Sequence, residues 1–196
     1  MTDIIFVHPN ASKKIYQSLA KNNAAIEPPI WAGMLANSVR QNGSNPLIVD
    51  AEAENLDYIS AAKKIVDINA KIVCFVVYGQ QPSASSQNME GAVATAEEVK
   101  KLDPTSFIIF VGGHVAALPK KTLIDEHSID AVCQNEGVYT LRQVCELTHI
   151  DDYSLSKISG LCFRDSEGNI HMNNPSQIVP KKDLEHVLPG IAWDLL

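Results

Sequence analysis

Residues 107–118, FIIFVGGHVAAL, pass from an unbroken run of aromatic and β-branched side chains through a glycine pair into a segment rich in helix formers. A short apolar run without alternation is buried on both faces, and a strand that turns at once into a helix is the βα unit of a parallel sheet. Runs of the same kind occupy residues 4–7, 46–49, 72–77 and 130–133, each bounded by Gly, Pro, Asn or charged side chains. Between them apolar residues recur at helical spacing, as in Met89, Ala92, Val93, Ala96 and Val99. Pro28 and Pro29 lead a further helix over residues 30–39, where proline suits the first turn and Gly43 the exit. The expected fold is α/β, a doubly wound sheet of five parallel strands.

The pattern changes near Asp151. Residues 158–172, ISGLCFRDSEGNIHM, hold two short strand-like runs around Asp165-Ser166-Glu167-Gly168-Asn169, a loop of hairpin length and chemistry. The stretch that follows carries prolines and little periodicity, which predicts an extended tail across a surface. Residues 1–150 are therefore read as the domain and 151–196 as a hairpin and linker.

A chain of 196 residues suits one sizeable domain with an appendage. Its 23 acidic and 16 basic side chains give a formal charge of −7, the wrong sign for neutralising phosphates, so no nucleic-acid partner is expected. The opening MTDIIFVHPN lacks a basic leader and a cleavage site, and no apolar stretch approaches the roughly 20 residues that span a bilayer. The expectation is a cytoplasmic protein with no membrane partner. Cys74, Cys133, Cys145 and Cys162 form no CxxC spacing, and Cys74 and Cys133 sit in apolar runs as small hydrophobes.

In an open parallel sheet the ligand lies beyond the carboxyl ends of the strands, where the winding reverses. The first strand ends in His8-Pro9-Asn10, followed by a long stretch before Pro28 that reads as a binding loop. The third ends in Tyr78-Gly79-Gln80-Gln81-Pro82-Ser83-Ala84-Ser85-Ser86, rich in amides and hydroxyls. The fourth ends in Gly112-Gly113-His114-Val115 and the fifth in Gln134-Asn135-Glu136-Gly137. Gly112 and Gly113 permit close approach to a ligand or make a plain βα turn. Ser85 or Ser86 suits a helix N-cap, which leaves Ser83 as the better ligand contact. Glu136 could hold a ligand hydroxyl or favour a positive helix end. His8 and His114 are read as projecting from adjacent strand ends, but without further ligands at sensible spacing no metal site is expected.

No G-x-G-x-x-G follows the first strand, and neither a P-loop nor G-x-S-x-G is present, so dinucleotide, nucleotide-triphosphate and serine-hydrolase chemistries are excluded. A phosphoacceptor receiver needs acidic residues after the first strand and an aspartate ending the third, where this chain has His8 and Tyr78.

Taken in order, EPPIWAGMLANSVRQNGSNPLIVDAE, VCFVVYGQQPSASS, FIIFVGGHVAALP, VCQNEGVYTL, ISGLCFRDSEGNI and LPGIAWDLL resemble one family. It is the cobalamin-binding N-terminal domain of cobalamin-dependent radical S-adenosylmethionine enzymes of the methyltransferase type. The resemblance implies a flavodoxin-like domain with cobalamin across the strand ends and its nucleotide tail buried toward the sheet. It places the loop 83–86 and Gly112-Gly113 against the corrin and its tail, with Glu136 and Gly137 lining the same crevice. His8, Pro9, Asn10, Tyr78, Gln80, His114 and Val115 complete the expected cofactor contacts. Many cobalamin domains carry D-x-H-x-x-G after the first strand, its histidine taking the lower face of cobalt. Here His8 has no aspartate two before it and no glycine three after it, so that ligation is not expected. A weak lower ligand suits release of a methyl group in a radical process.

The resemblance also implies a partner domain with a [4Fe-4S] cluster and S-adenosylmethionine, in cis or as a separate subunit. The CxxxCxxC motif of such a domain does not occur here. The chain by itself is thus expected to bind cofactor and catalyse nothing. The rival expectation is a cofactor-free flavodoxin-like interaction or sensor domain. A small flavoprotein is a weaker rival, because HPNASKK offers only Ser12 to a phosphate.

Overall fold

The computed structural model describes residues 2–11, 26, 28–79 and 82–196, with side chains described for all of these except 82–84. Strands β1 (Ile4–His8), β2 (Pro46–Asp50), β3 (Ile72–Val76), β4 (Phe107–Val111) and β5 (Ala131–Cys133) run parallel in the order β2-β1-β3-β4-β5. Each expected run is one of these strands to within a residue. The order is that of a flavodoxin-like sheet, whose winding reverses between β1 and β3.

Helices cover both faces because alternate strand side chains point to opposite sides. Ile4, Phe6, Cys74 and Ile109 meet α1 (Ile30–Gln41) and, further along the chain, α6 (Val138–Glu146). Ile5, Val7, Phe75 and Phe110 meet α2 (Tyr58–Ile68), α3 (Pro82–Leu102), α4 (Gly113–Ala117) and α5 (Pro119–Asp125). Apart from His8 and Phe107 the residues of β1, β3 and β4 are buried, so each large buried side chain contributes on the order of 1.5–3 kcal/mol. Cys74 and Cys133 are buried as expected, and burial raises both thiols above their usual range. No described helix is long and apolar enough to cross a membrane.

The sheet has seven strands, not five. After α7 (Asp152–Leu155), the expected hairpin forms from β6 (Leu161–Arg164) and β7 (Ile170–Met172), and it joins the sheet antiparallel to β5. The outer edge of β5 would otherwise leave backbone donors and acceptors unpaired. Cys162 faces the same core as Val132.

The tail is not simply extended. It forms short 3₁₀ turns at Lys181–Asp183 and Trp193–Leu195 around α8 (Leu184–Val187), and it buries Val179, Val187 and Ala192. Arg142 on α6 donates to Ser38 Oγ at 2.9 Å and to the Val187 carbonyl at 3.0 Å, clasping the tail across α1. Gly33 accommodates it: a Cβ there would overlap Ile191, and the Gly33 carbonyl accepts from the Ala192 N–H at 3.1 Å.

Candidate functional site

Three chain segments converge at the carboxyl ends of β3 and β4. The buried Ser85 Oγ donates to the Val77 carbonyl and accepts from the His114 N–H at 2.9 Å, so it stitches α3 to both strand ends. This corrects the expected capping role of Ser85 or Ser86: α3 already begins at Pro82, and both serines lie inside the helix. Asn88 donates to the Tyr78 carbonyl at 3.0 Å, which fixes the same loop from one turn further along.

The glycine pair divides its work. A Cβ on buried Gly112 would sit 2.7 Å from the Val77 carbonyl carbon and oxygen, so glycine there is required by the neighbouring strand end. Gly113 is exposed, and among the described residues a Cβ there would meet only Ser85, at an ordinary 3.7 Å. Its bare backbone face is open to a ligand. Beside it stands His114, whose Nδ1 lies 2.8 Å from the exposed Ser86 Oγ.

At the end of β1, His8 Nε2 lies 3.4 Å from Glu52 Oε2, and Asn10 Nδ2 donates to the Leu56 carbonyl at 3.1 Å. Pro9 and Ala11 are buried. The Asn10 carbonyl passes so close to α3 that a Cβ on Gly91 would lie 2.7 Å from it. His8 and His114 are not on adjacent strands as expected, because β3 lies between β1 and β4. They bond to different partners. Among the described residues, no three His, Cys, Asp or Glu side chains cluster as metal ligands.

Other expected contacts point elsewhere. Val115 is completely buried against Ile108, Leu123 and the sheet, so it belongs to the core and is unavailable to a ligand. Tyr78 stacks on Trp31 at 4.4 Å between ring centroids, and its hydroxyl lies 3.4 Å from the Glu136 carbonyl. Burial raises the Tyr78 hydroxyl well above its usual range, and it stays protonated. The Glu136 carboxylate accepts from the Val179 N–H at 2.8 Å and so holds the tail. Gly137 is buried with φ +74, and a Cβ there would lie 2.5 Å from Val111 Cγ2. Its lack of a side chain serves packing. Gln80 lies outside the described residues, as do residues 12–25 and 27 of the expected binding loop before Pro28, and of Ser83 only the backbone within α3 is described.

The model of the B12 binding domain matches residues 17–145, a span that takes in α1 to α6 and both strand-end turns. The chain belongs to the B12-binding domain family. Its cofactor is therefore cobalamin. An uncharacterized methyltransferase of Pyrococcus horikoshii is 27% identical over 169 residues, a match that covers 86% of this chain and 34% of the relative. The chain thus spans about a third of that relative's length.

Solved structures share the fold. The cobalamin-dependent S-adenosylmethionine radical enzyme OxsB with aqua-cobalamin bound superposes with a TM-score of 0.69 at 17% identity, covering 100% of this chain and 24% of that one. The radical S-adenosylmethionine methyltransferase TsrM from Kitasatospora setae, solved with tryptophan substrate and a S-adenosylmethionine analogue, gives 0.62 at 13% identity, covering 90% and 31%.

Among the described residues, the exposed backbone of Gly113 leaves a surface free of side chain at the strand ends of this B12-binding domain, with the hydroxyl of Ser86 and the ring of His114 next to it. Ser85 fixes that surface in place before any ligand arrives, which spares the ordering cost on binding.

Proposed function

We propose that this domain holds cobalamin over the ends of β3 and β4 and presents it, as cobalamin or methylcobalamin, to a radical S-adenosylmethionine domain for methyl transfer. That domain lies in cis or on a separate subunit. The observation that carries the reading is the open backbone of Gly113 within a turn otherwise locked by Ser85 and Val77. Gly113 lets the chain lie close to the corrin, and Ser86 and His114 orient its polar edge. Asn10 closes the opposite side at the switch between β1 and β3. When bound, cobalamin supplies a cobalt centre able to carry a methyl group or an electron.

The test is a titration of purified protein with hydroxocobalamin, followed by gel filtration. The cofactor's visible spectrum shifts and the cobalamin elutes with the protein. Gly113→Leu keeps the melting temperature, because its backbone needs no special φ, but abolishes co-elution. Cobalamin retained in full by Gly113→Leu removes the turn from the site, and no retention by the parent protein removes the proposal.

A further inference from the structure

A groove of about 530 Å³ runs between α3 and the α4–α5 pair, on the flank of the domain away from the tail. Its apolar lining comes from Met89, Val93, Ala94 and Leu118, and Leu118 is 43% exposed at the junction of two helices. The acidic lining comes from Glu90, Glu97, Asp125 and Glu126. Lys121 is the only lysine or arginine among the described residues of the lining, and it is already held by Asp125 at 2.7 Å. Glu97 and Glu126 have no ion-pair partner among the described residues. The Glu126 carboxyl is pushed up by burial and then by the nearby charges of Glu97 and Asp125, so the groove carries negative charge that a bound cation would relieve.

His114 and Ser86 stand at one end of this groove, next to the cofactor turn. Glu97 lies about 16 Å further along the helix axis than Ser86, at 1.5 Å per residue. The acidic part is therefore remote from Gly113, and the cofactor contacts do not account for it.

We propose that the groove between α3 and α5 is a docking site for a partner protein, and that it takes a short segment in which an apolar side chain is flanked by lysines or arginines. The apolar side chain covers Val93 and Leu118, and the flanking cations face Glu97 and Glu126. Charge complementarity selects this occupant over an acidic or a purely apolar one. The inference is independent of cobalamin, since none of these four side chains belongs to the strand-end turn.

The probe is a short labelled peptide of lysine and leucine, titrated into the full chain by fluorescence anisotropy, with a glutamate–leucine peptide as its counterpart. The lysine–leucine peptide binds and the counterpart does not. Reversing Glu97 and Glu126 to lysine together weakens binding roughly tenfold, which corresponds to about 1.4 kcal/mol for the pair. Leu118→Ser weakens it at unchanged charge. Glu97→Lys alone, at an exposed position, gives an intermediate loss and guards against a folding defect in the double variant.

Reversal of Asp152 and Glu167, at the hairpin end of the molecule, leaves binding unchanged. An equal loss there means general attraction to an acidic protein and overturns the proposal. Displacement of the peptide by hydroxocobalamin would assign the groove to the cofactor and overturn it as well. Self-association of the parent chain that Leu118→Ser abolishes would make a second copy the occupant, with the same consequence.

Discussion

The turns after β4 and after β5 are written alike, a buried strand running through glycine into a helix, yet they have different tasks. After β4, Gly112 fits the end of β3 and Gly113 is left exposed. After β5, Gly137 is packed against Val111 and Cys133, while Asn135 and Glu136 are bonded to Ser176 and Val179 of the tail. The first turn keeps an open face and the second spends its groups on holding the chain. A glycine at a strand end thus signals close approach, but only the fold decides whether a ligand or the protein itself approaches.

The sharpest way to break this contrast is Gly137→Val. The new side chain meets Val111 in a left-handed conformation that valine rarely adopts, so overpacking and backbone strain together cost about 3 kcal/mol. Thermal unfolding followed by circular dichroism should show a melting temperature lower by roughly 10 °C. A fall no larger than that of Gly113→Leu would mean the two turns are equivalent after all.

Ser85→Ala comes next. The hydroxyl joins the Val77 carbonyl to the His114 N–H in a buried position, and its loss leaves both without that partner. Urea denaturation should register about 1–3 kcal/mol, and amide exchange at His114 should quicken. Unchanged exchange there would show that the turn after β4 is held by Gly112 alone. Glu136→Ala acts on the other turn and costs less, about 1 kcal/mol, because it frees one backbone N–H of a half-exposed tail. Faster exchange at Val179 with an undisturbed His114 amide is the expected pattern. Coupled changes at both amides would join the two turns into one unit.

The parallel strands were legible because each is buried on both faces and so reads as a continuous apolar run, for which 107–111 is the clearest case. The glycine-paired turn and the hairpin around Asp165 were legible from turn chemistry. The attachment of that hairpin to β5 was not, because strand pairing depends on which edge is open once the sheet has assembled. Gly33 and Gly91 carry no mark in the sequence either. Each sits within a helical stretch, and its need for glycine comes from Ile191 and Asn10, far away in the chain. Val115 misled for the opposite reason. It adjoins the half-buried His114 in sequence, but helical geometry turns it into the core.

The smallest expected effect lies in the hairpin loop, at the opposite end of β5 from its turn. Asp165 sits 2.6 Å from His171 Nε2 and accepts from the Asn169 N–H at 2.7 Å and the Glu167 N–H at 3.0 Å. The bond to His171, followed by those to Asn169 and Glu167, holds the carboxyl down at about 2. Its unfolded value is near ~3.9, so the folded state prefers the charged form. The hairpin's contribution is complete above that unfolded value and is lost as the pH falls through about 2. Amide exchange at Glu167 and Asn169 should therefore quicken between roughly pH 4 and pH 2 once the intrinsic acid dependence is divided out, while the His114 amide keeps its protection. Asp165→Asn should remove that step and change the melting temperature at neutral pH only slightly, since the loop is solvent-facing. A step of equal size at His114 would mean that the hairpin end and the cofactor end of the sheet unfold together, and the division of labour between strand ends would then extend no further than their hydrogen bonds.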